Sequence, residues 1–295
     1  MPKDTSIVPY KIFRGFKIPK GGVEEYFEYA ADYKPKPGDI FLVSYPKCGT
    51  TWVQQLLYLV HSKGIPAPGG WSEMVNKVPF LEQDGPNNLD GALAFKYHLP
   101  YHLMPMSSDA KYIYVARNPK DACVSYYHFL KGLPGYSIGE FNEFFEAFLT
   151  EQLPHGCIID HVKDWYQHRN LPNILFLTYE ELKINPRAEI LKLADFLDIS
   201  IDETALEGIL KYSSFNFMHH LMEEGKDFVE SYLRQTTRLN SNTNSMLPKM
   251  LRKGVVGDWK SHFSPEQSKR LNDKFLQKTK GTGMELLWTA HMGSL

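Results

Sequence analysis

An apolar run, a tight turn and a helical pattern follow one another between residues 40 and 60. Residues 40–44 (IFLVS) are typical of a buried strand, and residues 53–60 (VQQLLYLV) repeat apolar side chains at helical spacing. The turn between them, 45–52, reads YPKCGTTW. Such a turn leaves the helix N-terminus open, with unpaired N–H groups and a partial positive charge. The segment therefore predicts a site for an anion such as a phosphate.

The side chains of this turn support the same interpretation. Lys47 adds a full positive charge, and Thr50 and Thr51 add hydroxyl donors. The pattern differs from the Walker loop, G-x-x-x-x-G-K-[ST], because Lys47 precedes Gly49 instead of following a glycine. An ordinary strand-to-helix turn is the alternative, and the density of phosphate-compatible groups disfavours it.

Short β-prone segments alternate with helical patterns along the rest of the chain. Further β-prone segments lie at 92–96, 112–116 and 174–177. The alternation predicts an α/β fold: a single domain, residues 1–295, with a mostly parallel central sheet flanked by helices and a phosphate-binding strand-loop-helix. Surface loops are expected at 63–86, 131–139 and 235–257, which are rich in Gly, Pro or polar residues.

Composition narrows the classes of partner and compartment. The chain has 295 residues and a formal net charge of −1, so nothing indicates bulk attraction to nucleic acid or to an acidic membrane. Its three cysteines, Cys48, Cys123 and Cys157, form no C-x-x-C pair, which favours a reducing compartment over a disulfide framework. No apolar leader and no apolar run of membrane-spanning length occurs, so we expect a cytoplasmic protein.

A second basic site follows the β-prone segment 112–116. Arg117 stands at its end, and Pro119 suits the first turn of a new helix. Ser125 follows on that helix and can face the same space, where a guanidinium and a hydroxyl would receive a second phosphate. A surface ion pair between Arg117 and Asp121 is the alternative.

A third basic site, Arg252-Lys253-Gly254, lies in a polar loop. Adjacent cations and a glycine allow close backbone approach to a phosphate, although a solvated basic turn is the common alternative. Separate anion receptors suggest a ligand with phosphates at two places, not a linear triphosphate. No acidic pair is obviously positioned for the Mg²⁺ that a triphosphate brings, so no metal is expected.

The candidate general base is His98. It follows the β-prone segment 92–96, and a histidine with a pKa near neutrality can take a proton from an attacking hydroxyl or amine. Lys96, two residues earlier, shares its side of the strand and can stabilise charge on a transferred group. A structural histidine is the alternative, since the chain has eleven histidines. No histidine spacing typical of a zinc site occurs.

Together these motifs resemble the cytosolic sulfotransferases, which transfer a sulfuryl group from 3′-phosphoadenosine-5′-phosphosulfate to hydroxyl or amine acceptors. The resemblance extends from Val43 to Lys260. It rests on ordered motifs: YPKCGTTW at 45–52, KYHLP at 96–100, YVARNPKD at 114–121, SYYHF at 125–129, YEE at 179–181, RKG at 252–254 and GDWK at 257–260.

The resemblance implies a role for each matching residue. It places the 5′ end of the donor at Lys47, Cys48, Gly49, Thr50, Thr51 and Trp52. It places the 3′-phosphate at Arg117, Ser125, Arg252, Lys253 and Gly254. Tyr179, Ser213, Phe215 and Met250 would complete the nucleotide site. The implied catalytic residues are His98 as base, Lys47 at the leaving phosphate, Lys96 at the sulfuryl group, and Ser125. Transfer would be direct and in line, without a metal or a covalent enzyme intermediate.

Two departures from the family pattern carry expectations of their own. Cys48 stands where serine is common, and a thiol at a helix N-terminus can have a lowered pKa and be oxidised; backbone contact alone is the alternative. Of the dimer motif K-x-x-x-T-V-x-x-x-E only Lys260 is retained, since Pro265 removes an N–H donor and Lys269 reverses a charge. The usual homodimer is therefore in doubt, and a monomer or another interface stays open.

The acceptor is predicted to be a small phenol. Phe80, Phe129 and Tyr127 match positions that line an apolar aromatic slot in the family, which suits a flat ring. Tyr97 replaces a small residue before the base, which predicts a narrower pocket mouth. Catecholamine-like amines and steroid alcohols are alternative acceptors. A phosphotransferase that uses Mg²⁺ and ATP, and a catalytically silent nucleotide-binding protein, are alternative functions.

Overall fold

The computed structural model of the chain describes residues 7–87, 89–133, 136, 138–237 and 250–293. A hairpin comes first: β1 (Tyr10–Phe13) pairs antiparallel with β2 (Phe16–Pro19). Its turn residues, Arg14 and Gly15, have φ angles of +47° and +82°, the backbone twist that tight hairpins favour. This hairpin was not predicted from the sequence, because Arg-Gly lacks the Asn or Asp that usually marks such a turn.

Four parallel strands form the central sheet, in the order β4-β3-β5-β6. Their bounds are β3 Ile40–Ser44, β4 Phe95–Tyr97, β5 Lys111–Ala116 and β6 Ile174–Thr178. The predicted α/β fold with a parallel sheet is thus confirmed. The β-prone segment 92–96 is displaced, because the N–H groups of Leu93 and Ala94 bond the carbonyl of Lys77 and β4 begins only at Phe95.

Helices cover both faces of the sheet. Their bounds are α1 Glu24–Asp32, α2 Thr50–His61, α3 Gly70–Lys77, α4 Leu81–Asp84, α5 Pro119–Lys131, α6 Phe141–Leu149, α7 Ile158–Gln167, α8 Tyr179–Ile184, α9 Pro186–Phe196, α10 Glu203–Tyr212, α11 Phe215–Glu224, α12 Lys226–Thr237 and α13 Pro265–Thr279. The short α3 and α4 occupy the segment 63–86 that was predicted as a loop. The predicted loops at 131–139 and 235–257 lie partly outside the described residues. Within the described ranges, no helix is both long enough and apolar enough to cross a bilayer.

Successive side chains of each strand point alternately to the two faces of the sheet. Phe41 and Tyr112 belong to an aromatic layer and stack with ring centroids 4.9 Å apart. Leu42 and Ile113 belong to an aliphatic layer on the other face, where α2 contributes Leu56. A strand buried on both faces must be apolar at every position, which explains the continuous apolar run at 40–43.

The carboxyl ends of the four strands meet at one edge of the sheet. His98 follows β4 directly, Arg117 follows β5, Tyr179 follows β6, and Lys47 lies three residues after β3. The parallel topology thereby brings residues from distant parts of the sequence to one place. This is the edge at which open α/β sheets bind ligands.

Candidate active site

A cavity of about 500 Å³ opens at this edge of the sheet. Most of the predicted site residues line it: Lys47, Gly49, Thr50, Thr51, Trp52, Phe80, Lys96, His98, Arg117, Ser125, Phe129, Tyr179, Ser213, Phe215, Met250, Arg252, Lys253 and Gly254. Cys48 and Tyr127 are the two predicted site residues that do not line it. The three basic segments and the candidate base thus share one space.

The turn between β3 and α2 adopts conformations that few residues tolerate. Lys47 has a φ of +68° and Gly49 a φ of +102°. A Cβ at Gly49 would also lie 2.8 Å from the Tyr179 ring, so both the backbone and the neighbouring ring require glycine. Left-handed residues before a helix turn N–H groups into a concave, anion-binding surface. The Oγ1 of Thr50 lies 2.5 Å from the buried Ser44 Oγ, and this hydrogen bond joins the start of α2 to the end of β3.

Lys47 lies among other cations. Burial, together with repulsion from Lys96, Arg117 and Arg252, lowers the pKa of Lys47 to about 7. Burial also lowers the pKa of Lys96 to about 8. The Nζ of Lys47 lies 4.1 Å from the ring centroid of Phe129. Clustered, partly desolvated cations destabilise a ligand-free site, so the charge pattern favours a ligand with several negative charges.

Replacing Lys47 by methionine is expected to stabilise the ligand-free protein. The pKa of Lys47 is about 7 in the folded state against an ordinary value of 10.5. The free-energy cost of burying this charge beside other cations is therefore fully present below pH 7 and disappears as pH rises towards 10.5. We expect the thermal midpoint to rise by about 2–4 °C at pH 6.5, and the gain to shrink at higher pH. Scanning fluorimetry across this range measures the effect, with the exposed Lys192→Met as a control. A lower midpoint for Lys47→Met at pH 6.5 would contradict this account.

Arg117 is held by main-chain oxygens at the end of β5. Its Nη1 donates to Lys47 O at 3.3 Å and its Nη2 to Val255 O at 3.2 Å. The guanidinium carbon lies 4.2 Å from the ring centroid of Tyr179. Its buried Nε has no hydrogen-bond partner among the described residues. The guanidinium is therefore fixed in place, and its buried Nε–H stays unpaired among the described residues.

Asp121, the alternative partner of Arg117, is engaged elsewhere. Its carboxylate accepts hydrogen bonds from Asn118 Nδ2, Gly257 N and Trp259 N, at 2.9, 2.7 and 3.0 Å. The alternative of an ion pair with Arg117 is therefore wrong. Asn118 in turn caps α5 by accepting from Asp121 N, and Pro119 occupies the first turn as predicted.

The basic loop at 252–254 packs against the carboxylate of Asp258 and the ring of Phe215. Arg252 and Lys253 both pair with Asp258, and Lys253 Nζ lies 2.6 Å from Asp258 Oδ1. Gly254 has a φ of +66°, and a Cβ there would clash with the Phe215 ring. The Nε of Arg252 is buried and unpartnered in the part of the chain that the structure describes. Arg117 and Arg252 thus each keep a buried donor for a ligand.

His98 is held in one tautomer. Its Nδ1 lies 2.7 Å from the carbonyl oxygen of Ser44, which can only accept, so Nδ1 carries the proton and Nε2 keeps its lone pair. The main-chain N–H of His98 donates to Glu82 Oε1 at 2.6 Å, and His161 Nε2 donates to its carbonyl oxygen at 3.0 Å. Burial and the charge of Lys96 hold the pKa of His98 well below 6.5. A neutral imidazole with a free nitrogen is suited to accept a proton.

Two buried polar residues of the cavity wall were not predicted. Glu82 is 2% exposed, and its Oε1 accepts from the N–H groups of His98 and Leu99. Burial raises the pKa of Glu82 to about 8. His155 has a φ of +67°, and its ring centroid lies 5.7 Å from that of His98. Neither residue stands in a motif, so only the folded arrangement identifies them.

Aromatic rings wall the cavity beside His98. Phe80 meets the His98 ring edge to face, with centroids 4.9 Å apart. Lys96 Nζ lies 4.5 Å from the ring centroid of Phe80. Phe129 and Tyr126 line the same space. This wall is flat and apolar, which favours an aromatic ligand.

Tyr127 and Tyr97 do not shape the cavity as predicted. The Tyr127 ring packs against Phe144, with centroids 5.5 Å apart, and its neighbour Tyr126 lines the cavity instead. Tyr97 is fully buried and donates its hydroxyl hydrogen bond to Ala30 O at 3.0 Å. Successive residues of a strand face opposite ways, so Tyr97 points into the core. The predicted narrowing of the pocket mouth is wrong.

Cys48 is fully buried behind the turn. Its Sγ lies 3.9 Å from Pro46 O. Burial raises the pKa of this thiol, and the nearby charge of Arg117 does not offset it. The hypothesis of a lowered pKa is therefore wrong, and backbone contact is the role left for residue 48.

Comparison with known proteins gives consistent matches over most of the chain. The family model for the sulfotransferase domain matches residues 37–283. Mouse sulfotransferase 1B1 is 35% identical over an alignment that covers 88% of each chain. Rabbit amine sulfotransferase is 33% identical over 87% of this chain and 86% of its own. The crystal structure of mouse sulfotransferase SULT7A1 complexed with PAP is 25% identical and superimposes with a TM-score of 0.75, over 96% of this chain and 98% of that one.

Proposed function

The chain belongs to the sulfotransferase domain family, and we propose that it transfers a sulfuryl group from 3′-phosphoadenosine-5′-phosphosulfate to the hydroxyl of a small phenolic acceptor, with His98 as general base. The observation that carries the proposal is the neutral His98, whose free Nε2 shares one cavity with separate phosphate receptors. The cytosol is the proposed compartment, since the cysteines Cys48, Cys123 and Cys157 are all free.

The donor suits the groups that the site leaves unpaired. The buried Nε–H groups of Arg117 and Arg252, without partners among the described residues, are the charged donors that phosphates prefer. The proposal assigns the 5′ end of the donor to Lys47 and residues 49–52. It assigns the 3′-phosphate to Arg117, Ser125 and residues 252–254. Around the nucleoside it places Tyr179, Ser213, Phe215 and Met250.

The chain itself moves one proton and offsets two charges. When bound, the donor supplies a sulfuryl group whose bond to the 5′-phosphate breaks as the bond to the acceptor oxygen forms. His98 Nε2 takes the proton of the acceptor hydroxyl in that step. The charge of Lys47 offsets the negative charge left on the phosphate, and Lys96 does the same for the sulfuryl oxygens.

Donor-site binding is expected to weaken as pH rises above 7. The pKa of Lys47, about 7 in the free protein, rises when an anion binds, so above pH 7 the complex takes up a proton. Lys47 alone should raise the Kd of adenosine 3′,5′-bisphosphate by up to about tenfold per pH unit. Calorimetric titration between pH 6.5 and 9 measures this, and Lys47→Met should reduce the slope. A wild-type Kd that is constant over this range would disprove the assignment.

A small phenol suits the space beside His98. Phe80, Phe129 and Tyr126 form an aromatic wall. A single flat ring suits such a wall, so the proposal favours a phenol over a fused steroid. An aryl amine is the second candidate, because a relative of comparable identity is an amine sulfotransferase.

The acceptor proposal predicts a ranking. We expect kcat/KM for 4-nitrophenol to exceed that for a steroid alcohol by at least about tenfold, with dopamine between them. Phe80→Ala should lower kcat/KM for 4-nitrophenol about tenfold through loss of ring packing. Phe217→Ala, which changes a ring outside the cavity, is the control. A steroid that turns over faster than the phenol would exclude this proposal.

Two other functions lead to different results. Phosphoryl transfer from ATP would need Mg²⁺ and would stop in EDTA. A silent nucleotide-binding protein would bind adenosine 3′,5′-bisphosphate without turnover of any acceptor. The presence of His98, Lys47 and Lys96 in one cavity supports catalysis.

A further inference from the structure

The C-terminal strap, residues 284–293, packs behind two of the phosphate receptors. Trp288 is 1% exposed and Met292 is fully buried. Neither residue lines the cavity. The strap lies C-terminal to the last of the sequence motifs, residues 257–260.

Trp288 is linked to Arg117 through two buried polar residues. Its indole Nε1 donates to Glu180 Oε2 at 2.9 Å. The other oxygen of Glu180, Oε1, accepts from both N and Nδ2 of Asn118, each at 3.0 Å. Asn118 follows Arg117 directly in the chain. Glu180 is 1% exposed and Asn118 is fully buried, so these bonds lie away from solvent.

The strap also contacts the segment that follows the basic loop at 252–254. Trp259 Nε1 donates to His291 O at 2.9 Å. The buried Lys120 Nζ donates to Met292 O and, at 2.7 Å, to Ser268 Oγ. The strap therefore holds the two segments from which Arg117 and the basic loop project.

The buried carboxylate of Glu180 needs a hydrogen-bond donor other than Arg117, and Trp288 provides one. This carboxyl group has neighbours that adjoin Arg117: it is hydrogen-bonded to Asn118, which follows Arg117, and the ring centroid of the preceding Tyr179 lies 4.2 Å from the guanidinium carbon. Arg117 itself has a buried Nε–H without a partner among the described residues. Without the indole N–H of Trp288, Oε2 of Glu180 would be a buried charged atom without a hydrogen bond, which is unfavourable. A hydrogen bond to the Nε–H of Arg117 would remove this cost. A direct Glu180–Arg117 pair would neutralise the guanidinium and occupy the donor that a phosphate needs.

We propose that Trp288 is a positioning residue for 3′-phosphate recognition: its indole N–H holds Glu180 away from Arg117 and keeps the guanidinium available. This inference rests on the proposed function, in which Arg117 receives the 3′-phosphate. It predicts selectivity, because a nucleotide without a 3′-phosphate does not use Arg117 in this way.

The test is Trp288→Phe, which retains the ring and removes the N–H donor. Titrations with adenosine 3′,5′-bisphosphate and adenosine 5′-monophosphate give the affinity ratio. We expect the bisphosphate Kd to rise about tenfold, the monophosphate Kd to stay within about twofold, and KM for the donor to rise with little change in kcat. Trp165→Phe is the matched control, since Trp165 is buried and its Nε1 has no partner among the described residues.

A rescue variant separates positioning from general damage. In Trp288→Phe/Glu180→Gln the amide still accepts from Asn118 but has no charge to draw towards Arg117, so the bisphosphate preference should return. The inference would be overturned if Trp288→Phe weakened the binding of both nucleotides equally, or if the double variant did not regain the preference for the bisphosphate. If Trp288→Phe does not fold, hydrogen exchange of the wild-type protein provides the test. Protection of residues 284–293 by the bisphosphate and not by the monophosphate would support the inference. Equal protection by both nucleotides would overturn it. A wild-type protein without preference for the bisphosphate would instead refute the proposed function.

Discussion

Replacing His98 by asparagine is expected to lower kcat for sulfuryl transfer by at least about a hundredfold, while the Kd of adenosine 3′,5′-bisphosphate changes by less than about twofold. The asparagine amide can still donate to Ser44 O, which accepts from His98 Nδ1 at 2.7 Å in the wild type. The variant therefore removes the basic nitrogen and keeps the buried hydrogen bond. Stopped assays with 4-nitrophenol measure kcat, and calorimetry measures nucleotide binding.

The control for this variant is a histidine outside the cavity. His102 is exposed and pairs with Asp164 at the surface, so His102→Asn should leave kcat within about twofold. Thermal unfolding of both variants checks that they are folded. If His98→Asn kept kcat within tenfold of wild type, another group would have to accept the acceptor proton.

Replacing Gly49 by alanine is expected to weaken nucleotide binding at least about tenfold. The φ of +102° at Gly49 is strained for any residue with a side chain, and the added Cβ would lie 2.8 Å from Tyr179 Cδ2. The Tyr179 ring cannot withdraw without consequence, because it packs against Trp52 and lies beneath the Arg117 guanidinium. One methyl group would therefore disturb both the turn at 45–52 and the neighbouring arginine.

Gly38 provides a matched control for the backbone strain. Its φ is +88°, and a Cβ there meets nothing within 4 Å. Gly38→Ala should lower the free energy of unfolding by about 1 kcal/mol and leave the nucleotide Kd unchanged. Equal effects of the two substitutions on binding would show that general strain, and not the contact with Tyr179, controls the site.

The parts of the site that the sequence predicts are those that local geometry determines. The turn at 45–52 and Arg117 each follow an apolar strand, and parallel strands must end at the same edge, so their meeting follows from topology. Pro119 marks the start of α5 because its ring suits the first turn of a helix.

The remainder depends on burial and on exact side-chain direction, which periodicity does not give. Tyr126 and Tyr127 are neighbours on α5, and only packing decides that Tyr126 lines the cavity. The helix N-terminus suggested a lowered pKa for Cys48, but its burial acts in the opposite direction. Glu82 and Trp288 act through buried hydrogen bonds to residues distant in the sequence, so no local pattern marks them.

The most direct test is transfer of a labelled sulfuryl group from 3′-phosphoadenosine-5′-phosphosulfate to 4-nitrophenol by the wild-type protein in EDTA. The account predicts many turnovers, with one adenosine 3′,5′-bisphosphate formed for each aryl sulfate, and no comparable turnover by His98→Asn. Two results would contradict the assignment of a phenol sulfotransferase. One is tight binding of the bisphosphate without formation of aryl sulfate from 4-nitrophenol. The other is sulfation of an amine or a steroid but not of 4-nitrophenol.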